Sequence, residues 1–341
     1  MSKKPIRFKD ISRLSDEPLV SLDAGDLMPL PELTDVPDLK PPRARWLETY
    51  DFSLDGYSDF DIPMPQTDEE KERLVRGFLT GLEKLLDPEN NWTFAKLFRL
   101  SMDYCLRCQT CSEACHVYLG SGRQEIYRPT YRSEILRRIY QRYFTPAGKL
   151  IGPFLGADIE VNFRTVWRLL ELSYPCNICR RCAQVCPAGI DNALIAREIR
   201  KLFSQELGIA PTELLRKGTR QHLRTGSSTG MNPAALKNSV EFLEEIIEEK
   251  TGKKIKIPVD KKGADILLIH NAGEFRSWPE NPAAFAILLD AAGINWTLSS
   301  ELVGYDAVNY AVWFDDVELA RIALRHVQIA RDLGVKKIVV G

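Results

Sequence analysis

Eight cysteines carry the chemistry of this sequence, and they fall in two runs, CLRCQTCSEACH at 105–116 and CNICRRCAQVCP at 176–187. In both runs the spacing is C-x2-C-x2-C-x3-C, and in the second a proline follows. Thiolates three residues apart on a tight turn can reach three corners of a four-iron cubane. The fourth thiol points elsewhere and ligates the other cluster, as in two-cluster ferredoxins. The spacing therefore predicts crossed ligand sets. One [4Fe–4S] cluster takes Cys105, Cys108, Cys111 and Cys186, and the other takes Cys176, Cys179, Cys182 and Cys115. All eight cysteines are then used as metal ligands.

Two other uses of the cysteines were weighed. Disulfides suit exported proteins, and MSKKPIRFKDISR has no apolar leader segment. Zinc prefers two separated C-x2-C knuckles to four cysteines at this spacing. Charge favours an anionic cluster. Arg128, Arg132, Arg137, Arg138 and Arg142 lie between Gln124 and Phe144, and Arg107, Arg180 and Arg181 lie inside the motifs. Cations near a cluster stabilise its reduced form. The same arginines also suit a solvated basic face or a docking patch. His116 stands where the second run has Pro187. With the cysteine set complete, its expected role is packing or hydrogen bonding beside a cluster. His222, His270 and His326 read as isolated structural residues. The loops GSGR and TGSSTG lack the strand-to-helix context of a phosphate cradle. No Ser/His/Asp set or paired carboxylate stands out, so the catalytic residues are unknown.

The elements that position the cysteines are mostly helical. Residues 1–66 hold nine prolines and read as an extended N-terminal arm. Residues 67–210 read as a helical domain. It opens on a capping box, Thr67 and Glu70, with Leu74, Phe78, Leu82 and Leu85 following at helical spacing. Further helices are expected over WTFAKLFRLSMDY, RSEILRRIYQRYF, FRTVWRLLELSY and NALIAREIRKLFSQEL, with the cysteines on turns between them. Residues 211–262 read as a connector containing the helix SVEFLEEIIEE. From 263 to 341 the period changes to strand–helix–strand–helix–strand: ADILLIH, PAAFAILLDAAG, INWTLSS, VELARIALRHVQIARDLG and VKKIVVG. That alternation predicts a parallel α/β unit. It stops on an apolar strand at Gly341, which suggests that the unit is incomplete and that the chain continues. The fold class is therefore multidomain, an all-α two-cluster ferredoxin domain followed by a truncated parallel α/β domain.

The net charge of −1 gives no reason to expect nucleic acid as a partner. No stretch approaches the roughly 18 apolar residues of a membrane span. AAFAILLDAAGINW (283–296) carries Asp290 and a glycine, and reads as a buried core helix. A cytoplasmic location follows, with docking on a membrane subunit left open.

Two such motifs some sixty residues apart, a following α/β unit, and the segments YRPTYRSEILRR and VDKKGADILLIHNAGEF resemble the heterodisulfide reductase family. The likeness covers residues 67–341 and is strongest to the DsrK-type iron–sulfur subunit of the membrane-bound complex of sulfate and sulfite respiration, akin to the D subunit of heterodisulfide reductase. The resemblance implies a CCG-like C-terminal domain holding a non-cubane [4Fe–4S] centre for disulfide or trisulfide reduction. Here no cysteine follows Cys186, and VGYDAVNYAVWFDD stands where a cysteine pair is expected. That centre can belong only to a part beyond Gly341. The partners implied are a quinol-oxidising membrane cytochrome b subunit, other subunits of a respiratory complex and a DsrC-type sulfur carrier, with this chain peripheral on the inner membrane face. The alternative is the iron–sulfur subunit of a flavin dehydrogenase oxidising glycolate, lactate or glycerol 3-phosphate.

Overall fold

The computed structural model describes residues 62–90 and 95–341. The expected N-terminal arm lies outside the described residues except for its last five, 62–66, which form neither helix nor strand.

Helix Asp68–Leu86 starts at the expected capping box. Thr67 accepts the Glu70 amide, and the Glu70 carboxylate accepts the Thr67 amide. Its Leu74, Phe78, Leu82 and Leu85 are buried. Helix Ala95–Asp103 runs into the first cysteine turn. Helices Pro129–Phe144, Phe163–Ser173 and Asn192–Leu207 complete the bundle. Proline occupies the first turn of one, where a missing amide costs nothing, and the Asn162 and Asp191 side chains cap the others. Phe98, Ile139, Leu169, Leu170, Ile195 and Phe203 are fully buried in the shared core. Each large apolar side chain contributes about 1.5–3 kcal/mol on burial.

The C-terminal half contains three parallel strands, β1 (Ile266–Ile269), β2 (Trp296–Thr297) and β3 (Lys337–Val340), in the order β2-β1-β3. All three lie in the segments whose pattern predicted strands. Successive side chains of the central strand point to opposite faces. Leu268 meets Ala283, Ala286 and the helix Pro233–Thr251. Leu267 and Ile269 meet Ile329 and Leu333 of helix Asp316–Leu333. The expected connector thus supplies part of the α/β core through Leu236, Val240, Leu243 and Ile247.

The reading of residues 283–296 as a buried core helix needs correction. Helix Glu280–Ala291 buries Pro282, Ala283 and Ala286, while Leu288 is 65% exposed. A sheet of three short strands covers only one stripe of the helix. A further helix that the pattern did not assign, Asp306–Phe314, packs on Asn192–Leu207. The junction is polar. Arg197 donates to the Val312 carbonyl at 3.0 Å, and Ser204 donates to Asp315 at 2.5 Å. Asp315 in turn caps helix Asp316–Leu333 through the Val317 and Glu318 amides. The TGSSTG loop is consumed locally: Ser228 donates to Asp306, and Gly226 takes a left-handed φ of 80° with the Glu301 carbonyl where a Cβ would sit.

His222 and His326 are not isolated. Their Nε2 atoms are 3.2 Å apart in the interior, 104 residues apart in sequence. Burial, then the neighbouring ring and Arg325, push His222 down to about 3. Burial, then Arg325, lowers His326 to about 4. In the unfolded chain both rings charge near pH 6.5. Their contribution is therefore fully present above that pH and is lost as pH falls toward 4. Urea midpoints are expected to drop between pH 7.5 and 5, by about 2 kcal/mol per ring at pH 5. His222→Gln with His326→Gln should flatten that dependence.

Candidate metal centres

The two cysteine runs adopt the same unusual backbone. Arg107 and Gln109 have φ of 52° and 67°, and Ile178 and Arg180 both have φ of 60°. These occupy equivalent positions, two and four residues after the first cysteine of each run. Left-handed geometry at non-glycine residues costs on the order of 1–3 kcal/mol each, so neighbouring groups must enforce it. Three of the four are tethered by their own side chains. Gln109 accepts from Thr130 at 2.7 Å, Arg180 donates to Asp191 at 2.8 Å, and Arg107 makes a two-pronged contact to Glu134 at 2.9 and 3.2 Å. Each turn runs into a single helical turn, Thr110–Glu113 or Arg181–Gln184, and these two pack together.

The result gathers Cys105, Cys108, Cys111 and Cys186 around one cavity, beside Thr130 and Asn192. Cys186 thus lies with the three thiols of the other run. His116, next to Cys115, lies with Nε2 2.9 Å from the Asn177 amide nitrogen and Nδ1 4.0 Å from Cys179 Sγ. That is the neighbouring role expected of His116. Cys111, Cys176 and Cys182 also meet in one buried cluster with Ala193 and Ala196, so the two sets adjoin. Cys108 and Cys179 are exposed, while Cys111, Cys115, Cys176 and Cys182 are buried. Among the described residues no three His, Cys, Asp or Glu side chains converge on a single ion-sized point. The thiols surround a space.

Two of the buried thiols, Cys111 and Cys182, hold their protons. Burial pushes Cys111 up to about 11, with Cys105, Cys186 and Cys108 adding to the effect. Burial, then Cys176, pushes Cys182 up to about 12. At the surface, hydrogen bonds from Thr110 lower Cys108. Metal binding must displace these protons, which couples loading to pH.

Cations surround the thiols. Arg132 is buried and donates to Cys115 Sγ at 3.4 Å, and its Nη1 is buried without a partner. Arg137, 1% exposed, donates to Asn192 Oδ1 at 2.6 Å and to the Ser101 carbonyl at 3.1 Å. Asn192 then faces Cys111 Sγ at 3.8 Å. Arg200, fully buried, donates to the carbonyls of Ser173 and Cys176 and stacks on Tyr174 at 4.7 Å. Among the described residues none of these three has a carboxylate within 4.0 Å. The arginine row is therefore split. Arg132 and Arg137 point inward, Arg128 covers Tyr118, and Arg138 pairs with Glu134 at the surface. A buried cation needs an anion or a full set of acceptors. Thiolate-bound iron–sulfur centres carry net negative charge, so the donor set, the spacing around a cavity and the unpaired guanidinium hydrogens all fit them.

Sequence reasoning passed over Arg200, Asn192, Asn177, Gln109 and Thr130. Arg200 had a signal, as a charge on the inward face of the amphipathic helix Asn192–Leu207. The others had none, because their roles arise from segments brought together in space.

Residues 101–190 match the family of 4Fe-4S dicluster domains. The chain is similar, more particularly, to heterodisulfide-reductase-like iron–sulfur subunits, as its motifs implied. It is 35% identical over 182 residues to the Hdr-like menaquinol oxidoreductase iron-sulfur subunit 2 of Archaeoglobus fulgidus, covering 53% of this chain and 32% of that one. It is 30% identical over 220 residues to the Hdr-like menaquinol oxidoreductase iron-sulfur subunit of Archaeoglobus profundus, covering 64% and 37%. A probable glycolate oxidase iron-sulfur subunit of Bacillus subtilis is 31% identical over 101 residues, covering 30% and 18%. The matched part of the chain spans about a third of the length of the first two relatives. No solved structure matches. Among the described residues no helix is long and apolar enough to cross a membrane.

The Arg137–Asn192 contact is expected to matter for stability. Asn192→Leu removes the acceptor at 2.6 Å and leaves a buried guanidinium short of a partner. The expected loss is about 1–3 kcal/mol in thermal or urea denaturation. Combining it with Arg137→Leu should recover part of that loss.

Proposed function

We propose that this chain carries electrons through two [4Fe–4S] clusters held by crossed cysteine sets, Cys105, Cys108, Cys111 with Cys186, and Cys176, Cys179, Cys182 with Cys115. The observation that carries the reading is the position of Cys186 on the cavity of the first run, with His116, the neighbour of Cys115, beside the second. When bound, such clusters supply one-electron storage and delivery. The chain's own residues do the rest. Paired left-handed turns aim three thiols each, the buried guanidiniums offset negative charge, and the helical core excludes water from the inner thiols. Exposed Cys108 and Cys179 leave one corner of each set near the surface, where an electron partner can approach.

The likeness to subunits named for an Hdr-like menaquinol oxidoreductase supports assigning this activity to a complex of that kind. In this reading electrons arrive from a membrane cytochrome b subunit, and the chain sits peripherally on the inner membrane face among other subunits. They leave toward disulfide or trisulfide reduction, with a DsrC-type sulfur carrier as acceptor in dissimilatory sulfur metabolism. No residue after Cys186 supplies a thiol, so the reductive step, with any non-cubane centre, is assigned outside residues 1–341. The likeness to a glycolate oxidase subunit is confined to 101 residues, which favours the menaquinol reading over a flavin dehydrogenase.

Iron and sulfide analysis of the anaerobically purified protein should give about eight irons per chain, and the reduced protein should give the EPR spectrum of two interacting clusters. Cys186→Ser should damage the cluster of Cys105, Cys108 and Cys111. Damage confined to the cluster of Cys176, Cys179 and Cys182 would refute the crossed sets, and zinc in place of iron would refute the function.

A further inference from the structure

The two cysteine sets are unequally charged. The second set is touched directly by a guanidinium. Arg132 is 6% exposed, donates from Nη2 to Cys115 Sγ at 3.4 Å, and keeps a buried Nη1 with no acceptor among the described protein atoms. Arg200 lies behind the same set, on the Cys176 carbonyl. Around the first set the cations are spent elsewhere or held back. Arg107 is engaged by Glu134, Arg128 by Glu125 and Tyr118, and Arg137, though its charge is felt at Cys105 and Cys111, makes no hydrogen bond to a thiol and donates instead to Asn192, whose amide is 3.8 Å from Cys111 Sγ.

Reduction of a cluster adds one electron from a one-electron donor. It breaks no bond and need move no proton, so local charge and hydrogen bonds to sulfur decide which cluster accepts it more readily. A desolvated guanidinium on a thiolate acts at low effective dielectric and is little screened by salt. Building on the dicluster reading above, we propose that Arg132 makes the cluster of Cys115, Cys176, Cys179 and Cys182 the more easily reduced of the two, so that an electron entering the pair settles there.

A mediated redox titration followed by EPR, on the intact cluster-loaded protein, tests this. The two signals are assigned by which of Cys108→Ser and Cys179→Ser perturbs each. Arg132→Gln should lower the midpoint of the Cys179 cluster alone. At the wild-type midpoint its reduced-to-oxidised ratio should fall by about tenfold, or ~59 mV. Arg132→Lys should give a smaller drop, and Arg138→Gln, on the surface pair with Glu134, should move neither midpoint. Unmoved midpoints, or a shift confined to the Cys108 cluster, overturn the proposal. Should Arg132→Gln fail to load iron, Arg132→Lys carries the test, and no drop there overturns it. Zinc, or an absence of iron and sulfide, in the wild-type protein would instead sink the dicluster reading itself, before any midpoint is measured.

Discussion

Three guanidinium groups, buried without a carboxylate among the described residues, set the terms for everything around the cysteines. Taking a cation out of water costs several kcal/mol unless its hydrogens are met and its charge is answered. Arg200 meets backbone carbonyls at the mouth of the second run, and Arg137 meets Asn192 and the carbonyl of Ser101. Arg132 has sulfur and one bare nitrogen. That last is a weak answer to a full positive charge. A negative species between the two runs would answer Arg132, and eight thiols are the material for it. Under the dicluster proposal, folding and metal loading are one problem.

Helix Asn192–Leu207 is where that problem meets the rest of the molecule. Its first turn offers Asn192 to one thiol set, and its inward face carries Arg200 to the other. The same face as Arg200 binds the segment around helix Asp306–Phe314, through Arg197 and Ser204 and through Arg200 itself on the Trp313 carbonyl. Asp315, the acceptor for Ser204, also caps helix Asp316–Leu333. A displacement of one end of this element is felt at both, because interiors packed at crystal-like density do not deform locally.

Much of this could be read from the chain itself. Thr67 and Glu70 marked a helix start, because a capping box is a local code. The three strands declared themselves through short apolar segments separated by helical periods. The cysteine runs announced their chemistry because ligand spacing survives without knowledge of the fold. What escaped was produced by distance in sequence. Nothing near His222 points to His326, and nothing in a row of five arginines says which two turn inward. That division depends on which face of helix Pro129–Phe144 meets the cysteine turns. Leu288 looked buried by composition and is exposed because the sheet beneath it is narrow.

The crossed sharing of Cys186 and Cys115 proposed above has a consequence for how the protein is made. Under the proposed ligand sets, neither run can complete a cluster by itself. The first lacks its fourth thiol until the chain has been synthesised through residue 186, and the second depends on a thiol made some sixty residues earlier. A nascent chain that has just produced CLRCQTCSEACH therefore holds an open, three-thiol site and a spare sulfur. Iron delivered then would have a ligand short. Maturation must wait for the hairpin of helices between the runs to close, so cluster insertion reports on correct folding of the whole bundle and discriminates against truncated chains.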